Sequence, residues 1–372
     1  MPADTFQFRV SWQKLLMGLC LTLIPLALGG LLIVSRTERQ LGETLGRQYQ
    51  TLAEITASAV TRYVDDRVMN VNALAADPAV LDVVAAADAG WQGATQAQIE
   101  ARVQGAEKSW NTPEAQGRVR EVLENKASRL LRHYRDMDRR FLRMTLTDRV
   151  GAVVAATHKT LDYYQADEEF WQSIYAEGRG AINITDVLYD EVSKSYYIGV
   201  GVPVVAEGTN ELIGALDALV EVSSIFPVLY QVHSGESART LLVRTDGTVI
   251  AGPQTTLAMQ VKSEEAAALA GFPGRPAAGY LVADISGKRT LISYANTGLS
   301  ERFRNLGWTV IVAQDVREAF GPIRTVMRWI GLLAFAALAM VTLAAMWFTV
   351  HRRSEYSHIG QTEKASSPSV VR

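Results

Sequence analysis

Apolar and charged positions divide the chain into three zones. Two runs carry no charge, "LLMGLCLTLIPLALGGLLIVS" from Leu15 to Ser35 and "IGLLAFAALAMVTLAAMWFTV" from Ile330 to Val350. At about 1.5 Å per residue each covers about 30 Å as a helix, the depth of a bilayer's hydrocarbon core. Both predict membrane helices. For the first run a cleaved signal peptide is the alternative, because Arg9 and Lys14 precede it and "ALGG" supplies small residues. The run continues past those residues into "LLIVS", further than a signal core normally extends. Trp329 and Trp347 near the ends of the second run, followed by Arg352 and Arg353, fit an interfacial aromatic belt and a basic stop.

Between the runs the pattern is first helical. Leu41, Leu45, Leu52, Ile55, Ala59 and Tyr63 recur at threes, fours and sevens, with Arg39, Glu43, Arg47, Gln50 and Glu54 between them. This predicts one long amphipathic helix over residues 36–76, ending before "DPAV" at Asp77. A dimeric coiled-coil seam and a helix lying on its own domain's sheet both explain the stripe. Residues 78–140 stay helical but broken, with "VREVLENKASRLLRHYRDM" as their best-formed stretch.

From Phe141 the period shortens to two. "FLRMTLTDRVGAVVAATH" reads as strand, turn and strand, and "KSYYIGVGVPVVAEGTNELIGALDALVEV" as two strands joined at "EGTN". The same order then returns as "TLLVRTDGTVIAG", "GKRTLISYAN" and "LGWTVIVAQDV". Thr147-Asp148 recurs as Thr245-Asp246, and Glu221-Val222 with Phe226 recurs as Asp315-Val316 with Phe320. These paired offsets predict one antiparallel-sheet module used twice, about 141–226 and about 238–322. Each copy closes on a strand that turns at the acid and valine into a helix packed by Phe226 or Phe320.

Composition removes whole classes of function. A net charge of -2 shows no bias toward nucleic acid. Cys20 is the single cysteine and lies in the first apolar run, so the middle zone has no thiol to oxidise. The histidines 133, 158, 233, 351 and 358 have no metal-ligand spacing, and neither a nucleophile elbow nor a phosphate loop occurs. No enzyme and no cofactor is expected. Basic flanks of the two runs are nearly balanced: Arg9, Lys14, Arg352, Arg353 and Lys364 stand against Arg36, Arg39, Arg47, Arg317, Arg324 and Arg328, so charge does not orient the chain.

The strings "LTDRVGAVVAAT", "QADEEFWQSIY", "NITDVLYDEVSKSYYIGVGVPVV", "LIGALDALVEVSSIF", "LLVRTDGTVIAG" and "LGWTVIVAQDVREAF", in this order, resemble the double Cache sensor family of bacterial receptors. The resemblance implies an α/β (α+β) fold: a long N-terminal helix and two tandem PAS-like antiparallel-sheet modules, flanked by two transmembrane helices. It further implies a domain over 36–328 outside the cytoplasmic face of a bacterial inner membrane. Residues 1–14 and the polar tail 351–372 would then be cytoplasmic, with spans at 15–35 and 329–350. The first, membrane-distal module would hold a small molecule.

Family members that bind amino acids share an ordered set of residues, matched here by Tyr164, Trp171, Tyr189 and Asp217. Where the family has an arginine this chain has Glu169, and the aromatic after Trp171 is Gln172. An arginine would hold a ligand carboxylate by a paired hydrogen bond, and a glutamate repels it. The set Tyr164, Glu169, Trp171, Tyr189 and Asp217 therefore suits a cationic amine through aromatic faces and acids. The plainer reading makes "ADEEFW" a solvated helix start and Trp171 core. The expected function is a small-molecule sensor, possible as a homodimer; the 22 residues after Val350 hold no output domain, so the expectation is that a cytoplasmic or membrane partner reads its signal or that the chain is a fragment of a longer receptor. A membrane ligand-binding or scaffold protein without signalling is the alternative.

Overall fold

A computed structural model of the chain describes residues 12–190, 193–230, 236–253, 255–256, 259–319, 321, 325–326 and 328–344. It divides into two units, Glu43–Asp315 and the two terminal segments Met1–Gly42 with Val316–Arg372. Helix α1 runs from Trp12 to Ala75. In the larger unit its buried face is Tyr49, Ala53, Ala57, Val60, Val64, Val68, Val71 and Leu74, at steps of three and four. The seam lies beside the predicted leucine-rich stripe: Leu52, Ala59 and Tyr63 are half-buried, and Ile55 is 58% exposed. Alanine and valine let the helix axis approach the sheets closely, and the larger side chains flank that contact. Of the two readings of the stripe, the helix on its own domain is the observed one. Tyr63 Oη donates to Glu221 O at 2.7 Å, Thr61 Oγ1 to Thr297 O at 2.8 Å, and Tyr49 bonds Gln314.

The helical segment after Asp77 is set by local caps. Asp77 accepts from Ala79 N at 2.8 Å and Pro78 opens α2 (Pro78–Ala89), a position where a missing N–H does no harm. Thr95 and Gln98 form a capping box on α3 (Gln96–Ser109). "VREVLENKASRLLRHYRDM" is split into α4 (Gln116–Glu124) and α5 (Lys126–Met137) by Asn125. Its side-chain oxygen accepts from Ser128 N at 2.9 Å while its amide nitrogen donates to Val154 O at 2.8 Å, so one residue caps α5 and ties it to the sheet.

The first sheet contains β1 (Phe141–Asp148), β2 (Val153–Ala156), β3 (Asn183–Ile184), β4 (Leu188–Asp190), β5 (Ser195–Val205) and β6 (Leu212–Glu221), in the order β2-β1-β6-β5-β3 with β4 also on β5. Helix α6 (Glu169–Tyr175) packs on β5 and β6, while α2 and α5 lie against β1 and β2. After β6 the chain turns through Ser223–Ile225 into α7 (Phe226–Tyr230).

The second sheet contains β7 (Arg239–Val243), β8 (Val249–Gly252), β9 (Thr255–Thr256), β10 (Ala278–Ile285), β11 (Lys288–Asn296) and β12 (Thr309–Asp315), in the order β10-β11-β12-β7-β8-β9. Helix α8 (Glu264–Ala270) covers its apolar core, and α9 (Val316–Ala319) follows β12 directly. Read from opposite ends, the two orders match: β1 with β7, β2 with β8, β5 with β11, β6 with β12. Both sheets are antiparallel throughout. The turn from strand to helix after each acid is present in both copies; Phe320 lies outside the described residues. Strand β10 is an addition to the expected pattern, because "AAGYLVADI" follows a Pro-Gly loop and begins with small residues. It is fixed to β11 by the two-residue turn Ser286-Gly287, both at positive φ.

In the smaller unit residues 15–35 are helical as part of α1, with Pro25 inside, and Arg328–Ala344 is an apolar helix. Among the described residues no single helix is long and apolar enough to cross a membrane. Residues 345–350 of the second run and the polar tail lie outside the described residues.

Candidate functional site

Side chains alternate across a strand, so residues paired in register share a face. On one face of the first sheet, Thr145, Asp217 and Gly201 form a row across β1, β6 and β5. The matching row of the second sheet, four residues before Asp315, is Leu241, Ile311 and Tyr294. Those three are buried in an aliphatic core under α8. The next row repeats the contrast: Arg143, Leu219 and Gly199 in the first sheet against Arg239, Ala313 and Ile292 in the second. Where one copy is filled by Ile, Leu and Tyr, the other has an acid, a threonine and two glycines.

The glycines let neighbouring elements approach this row closely. A β carbon on Gly201 would lie 2.3 Å from Ile174 Cδ1, so α6 closes that end of the row. On Gly199 it would lie 3.0 Å from Thr185 Oγ1 and 3.7 Å from Asp217 Oδ1, so both oxygens stand over Gly199. Thr185 is held there by a pair of bonds to one residue: its Oγ1 accepts from Gly199 N at 2.7 Å and its N donates to Gly199 O at 2.9 Å.

Asp217 is half-buried, and among the described residues no side-chain hydrogen bond or ion pair holds it. Burial pushes its carboxyl up to about 7, against the pull of the nearby Arg143 guanidinium. Arg143 is committed elsewhere, to buried Asp190 at 2.5 Å, although its Nε is buried without a partner. Asp190 is lowered, since bonds from Ser193 and the charge of Arg143 outweigh burial. Tyr197, on the same face through its pairing with Glu221, is raised by burial and by the two acids. With Asp217 ionised, Arg143, Asp190 and Asp217 leave one negative charge without a counterpart.

The segment between β3 and β4 covers this face and is gripped from the second sheet. Asp186 accepts from Trp308 Nε1 at 3.0 Å and pairs with Arg244 Nε at 3.0 Å; Arg244 also bonds Val187 O. Trp308 is buried and immediately precedes β12.

The residues singled out in the sequence do not all meet. Trp171 is 6% exposed, donates Nε1 to Thr147 Oγ1 at 3.0 Å and stacks on Tyr175 with centroids 4.7 Å apart, in a cluster with Ile174 and Ala215. Thr147 and Ala215 lie one row from Asp217 on the same face, so Trp171 packs beside that row. Glu169 is exposed at the first residue of α6. Tyr164 is half-buried, bridged to Ala152, with its N bonded to Glu107 Oε2 at 2.8 Å. Tyr189 pairs with Tyr196 at 5.1 Å between centroids, on the face opposite Asp217. Arg143, Thr185, Gly199 and Asp190 are outside the set named from the sequence. Two signals point to them: glycines at alternate positions in the buried run "YYIGVGVPVV", which mark a close approach, and an arginine inside the strand "FLRMTLTD".

Two clefts lie away from this face. One of about 540 Å³ is lined by Gly90, Trp91, Arg102, Gly105, Arg118 and Tyr163, and its arginines turn inward on Gly90 O and the Tyr163 ring. The other, about 410 Å³, lies on the second sheet, where Arg239 pairs with Glu265 and Lys262 with Asp246. The arginines and the lysine named here have partners within the protein, unlike Asp217. We therefore place the candidate site over Gly199.

The double Cache sequence profile, described as Cache domain, matches residues 37–323. No curated protein sequence matches the chain. Among solved structures, the ligand-binding domain of Campylobacter jejuni chemoreceptor Tlp3 in complex with L-norvaline aligns with a TM-score of 0.51 at 14% identity, over 75% of this chain and 93% of that one. The ligand-binding domain of the Pseudomonas aeruginosa amino acid chemoreceptor PctC in complex with GABA gives 0.48 at 14% identity, over 73% and 100%. The extracellular domain of the putative histidine kinase rpHK1S-Z16 gives 0.45 at 14%, over 72% and 92%. With one helix along two antiparallel sheets of matching order and a family profile spanning both, the chain belongs to the Cache domain family, whose members are extracellular ligand-binding sensor domains.

Proposed function

We propose that the protein is a membrane-anchored extracytoplasmic sensor whose first sheet binds a small molecule carrying an ammonium group above Gly199. The observation that carries this reading is the half-buried Asp217 carboxylate without a bonded partner among the described residues, in a row whose counterpart in the second sheet is solid core. An acid in that setting is destabilised unless a cation reaches it, and the single excess negative charge of the Arg143, Asp190 and Asp217 group asks for one. Trp171 and Tyr197 supply the aromatic surface that cations favour. Membrane anchoring is supported by the two charge-free runs and by the large exposed side chains of the C-terminal helix, where Leu332, Leu333, Phe335, Met340, Val341 and Leu343 are 59–72% exposed. Ligand binding shifts the first sheet between two packings, and the change reaches the junction of β12 and α9 at Asp315, where a signalling partner reads it.

The test is thermal denaturation of the full chain in detergent at pH 8 with ethanolamine, cadaverine, tyramine, amino acids and dicarboxylates. Ammonium compounds are expected to stabilise it, by about 2.7 kcal/mol at a hundredfold excess over Kd, and Asp217→Asn is expected to abolish the effect. Stabilisation by dicarboxylates alone, or by amines equally in Asp217→Asn, sinks the assignment.

A further inference from the structure

Resting on that reading of the first sheet, we infer that Arg244 and Trp308 of the second sheet are positioning residues for the ligand site, acting through Asp186. The geometry is a chain of short links. Thr185, whose oxygen stands over Gly199 beside Asp217, is followed by Asp186 and Val187. Asp186 accepts the Trp308 indole N–H on one carboxylate oxygen at 3.0 Å, and its other oxygen lies 3.0 Å from Arg244 Nε in an ion pair without hydrogen-bond geometry. Arg244 bonds the next carbonyl, Val187 O, and Asn305 Nδ2 reaches Ile184 O at 3.5 Å. Four consecutive residues of the segment that covers the site are thus addressed either by the site or by the second sheet. Among the described residues no strand pairing joins the two sheets; α1, bonded to Glu221 and Thr297, and α7, packed on β7 and β8, also connect them, and these side chains are the direct link to the site's cover.

The grip is placed where it can be felt downstream. Trp308 is 1% exposed and enters β12, whose far end is Asp315 before α9; Arg244 follows β7, the neighbour of β12. A ligand that moves Thr185 must move Asp186 against the charge of Arg244 and the N–H of Trp308 at once. Conversely, a shift of β12 withdraws the donor that fixes the site's cover. Linkage makes the effect reciprocal: what tightens one end tightens the other.

Hydrogen exchange of the full chain, read by mass spectrometry, tests this without knowledge of the ligand. Asp186→Asn and Arg244→Gln are each expected to raise exchange in segment 183–190 about tenfold, the equivalent of one charge-assisted hydrogen bond, while β8 is unchanged. The double variant should show no more than either single one, because both changes open the same link. Trp308→Phe, which keeps an aromatic ring of smaller size and removes the N–H, is expected to do the same, and unchanged exchange in β11 would separate the lost N–H from the lost volume. Unchanged exchange in 183–190, or an additive double variant, overturns the inference whether or not any amine binds. If tyramine or cadaverine does bind through Asp217, Asp186→Asn should weaken it about tenfold, and affinity left intact also overturns it. A failure of all amines with the exchange result upheld would refute the ammonium site alone.

Discussion

Replacing Asp217 by asparagine should make the free protein more stable above neutral pH while removing its ability to respond to an amine. In the folded state the carboxyl sits at about 7, against an ordinary value of 3.8. A raised acid holds its proton more tightly folded than unfolded, so between about 4 and 7 the native state carries more protons and stability falls as pH rises. Above 7 the penalty is complete. The gap between the two values corresponds to about 4 kcal/mol if fully expressed. The carboxylate retains contact with water, since the residue is half-buried, and a realistic penalty is about 1–2 kcal/mol. Asparagine keeps the shape and cannot ionise, so at pH 8 the variant's Tm should exceed the parent's by roughly 3–6 °C, and at pH 4.5 the two should coincide. Amine binding to the parent needs the ionised form, so the apparent Kd should be about tenfold weaker at pH 6 than at pH 8. Thermal denaturation of both proteins from pH 4.5 to 8.5, with and without amine, gives all three readings. Parallel pH profiles for the parent and Asp217→Asn would refute the reasoning.

The repeat offers a mirror experiment: Ile311→Asp puts the first sheet's acid into the filled copy, and burying an unpaired charge there should cost more than about 4 kcal/mol, seen as loss of the folded transition in urea. Gly214→Ala would bring a β carbon to 2.2 Å from the Thr147 carbonyl on β1, a backbone atom that cannot step aside, and should lower stability by about 3 kcal/mol in the same assay. Gly201→Ala meets Ile174 Cδ1 at 2.3 Å and Cγ1 at 2.6 Å, side-chain atoms that can shift more easily than a carbonyl, and should be milder. Asn125→Ala removes the cap of α5 and the bond to Val154 O, for an expected loss of about 1–2 kcal/mol by urea denaturation.

Much of the fold was legible because local chemistry and tertiary contacts agree. The long helix ends at Ala75 where "DPAV" stops it, and the period-two runs after Phe141 became strands joined at the turns their Asp and Gly residues specify. The repeat was visible from Glu221-Val222 and Asp315-Val316, since the strand-to-helix turn needs similar residues each time. Helix α1's seam was less legible: Ile55 and Leu52 outrank Ala53 and Ala57 in hydrophobicity, yet two sheets packing on one helix favour the small side chains. Asp217 could be found because a charge inside "GALDALV" has no bland explanation. Its companions carried weaker signals, the alternate glycines of "YYIGVGVPVV" and the arginine of "FLRMTLTD". Thr185 and Arg143 come from separate parts of the chain, and only register brings them to one face with it. Tyr189 shows the limit from the other side, since a single step in register puts a side chain on the reverse of the sheet.

Helix α1 touches residues made long after it. Tyr49 bonds Gln314 and Thr61 bonds Thr297, partners 265 and 236 positions later, so this stretch of the spine cannot close until β12 has been made. Contacts so distant in sequence slow folding, and they place the covering of this stretch after that of the part that Glu221 holds through Tyr63.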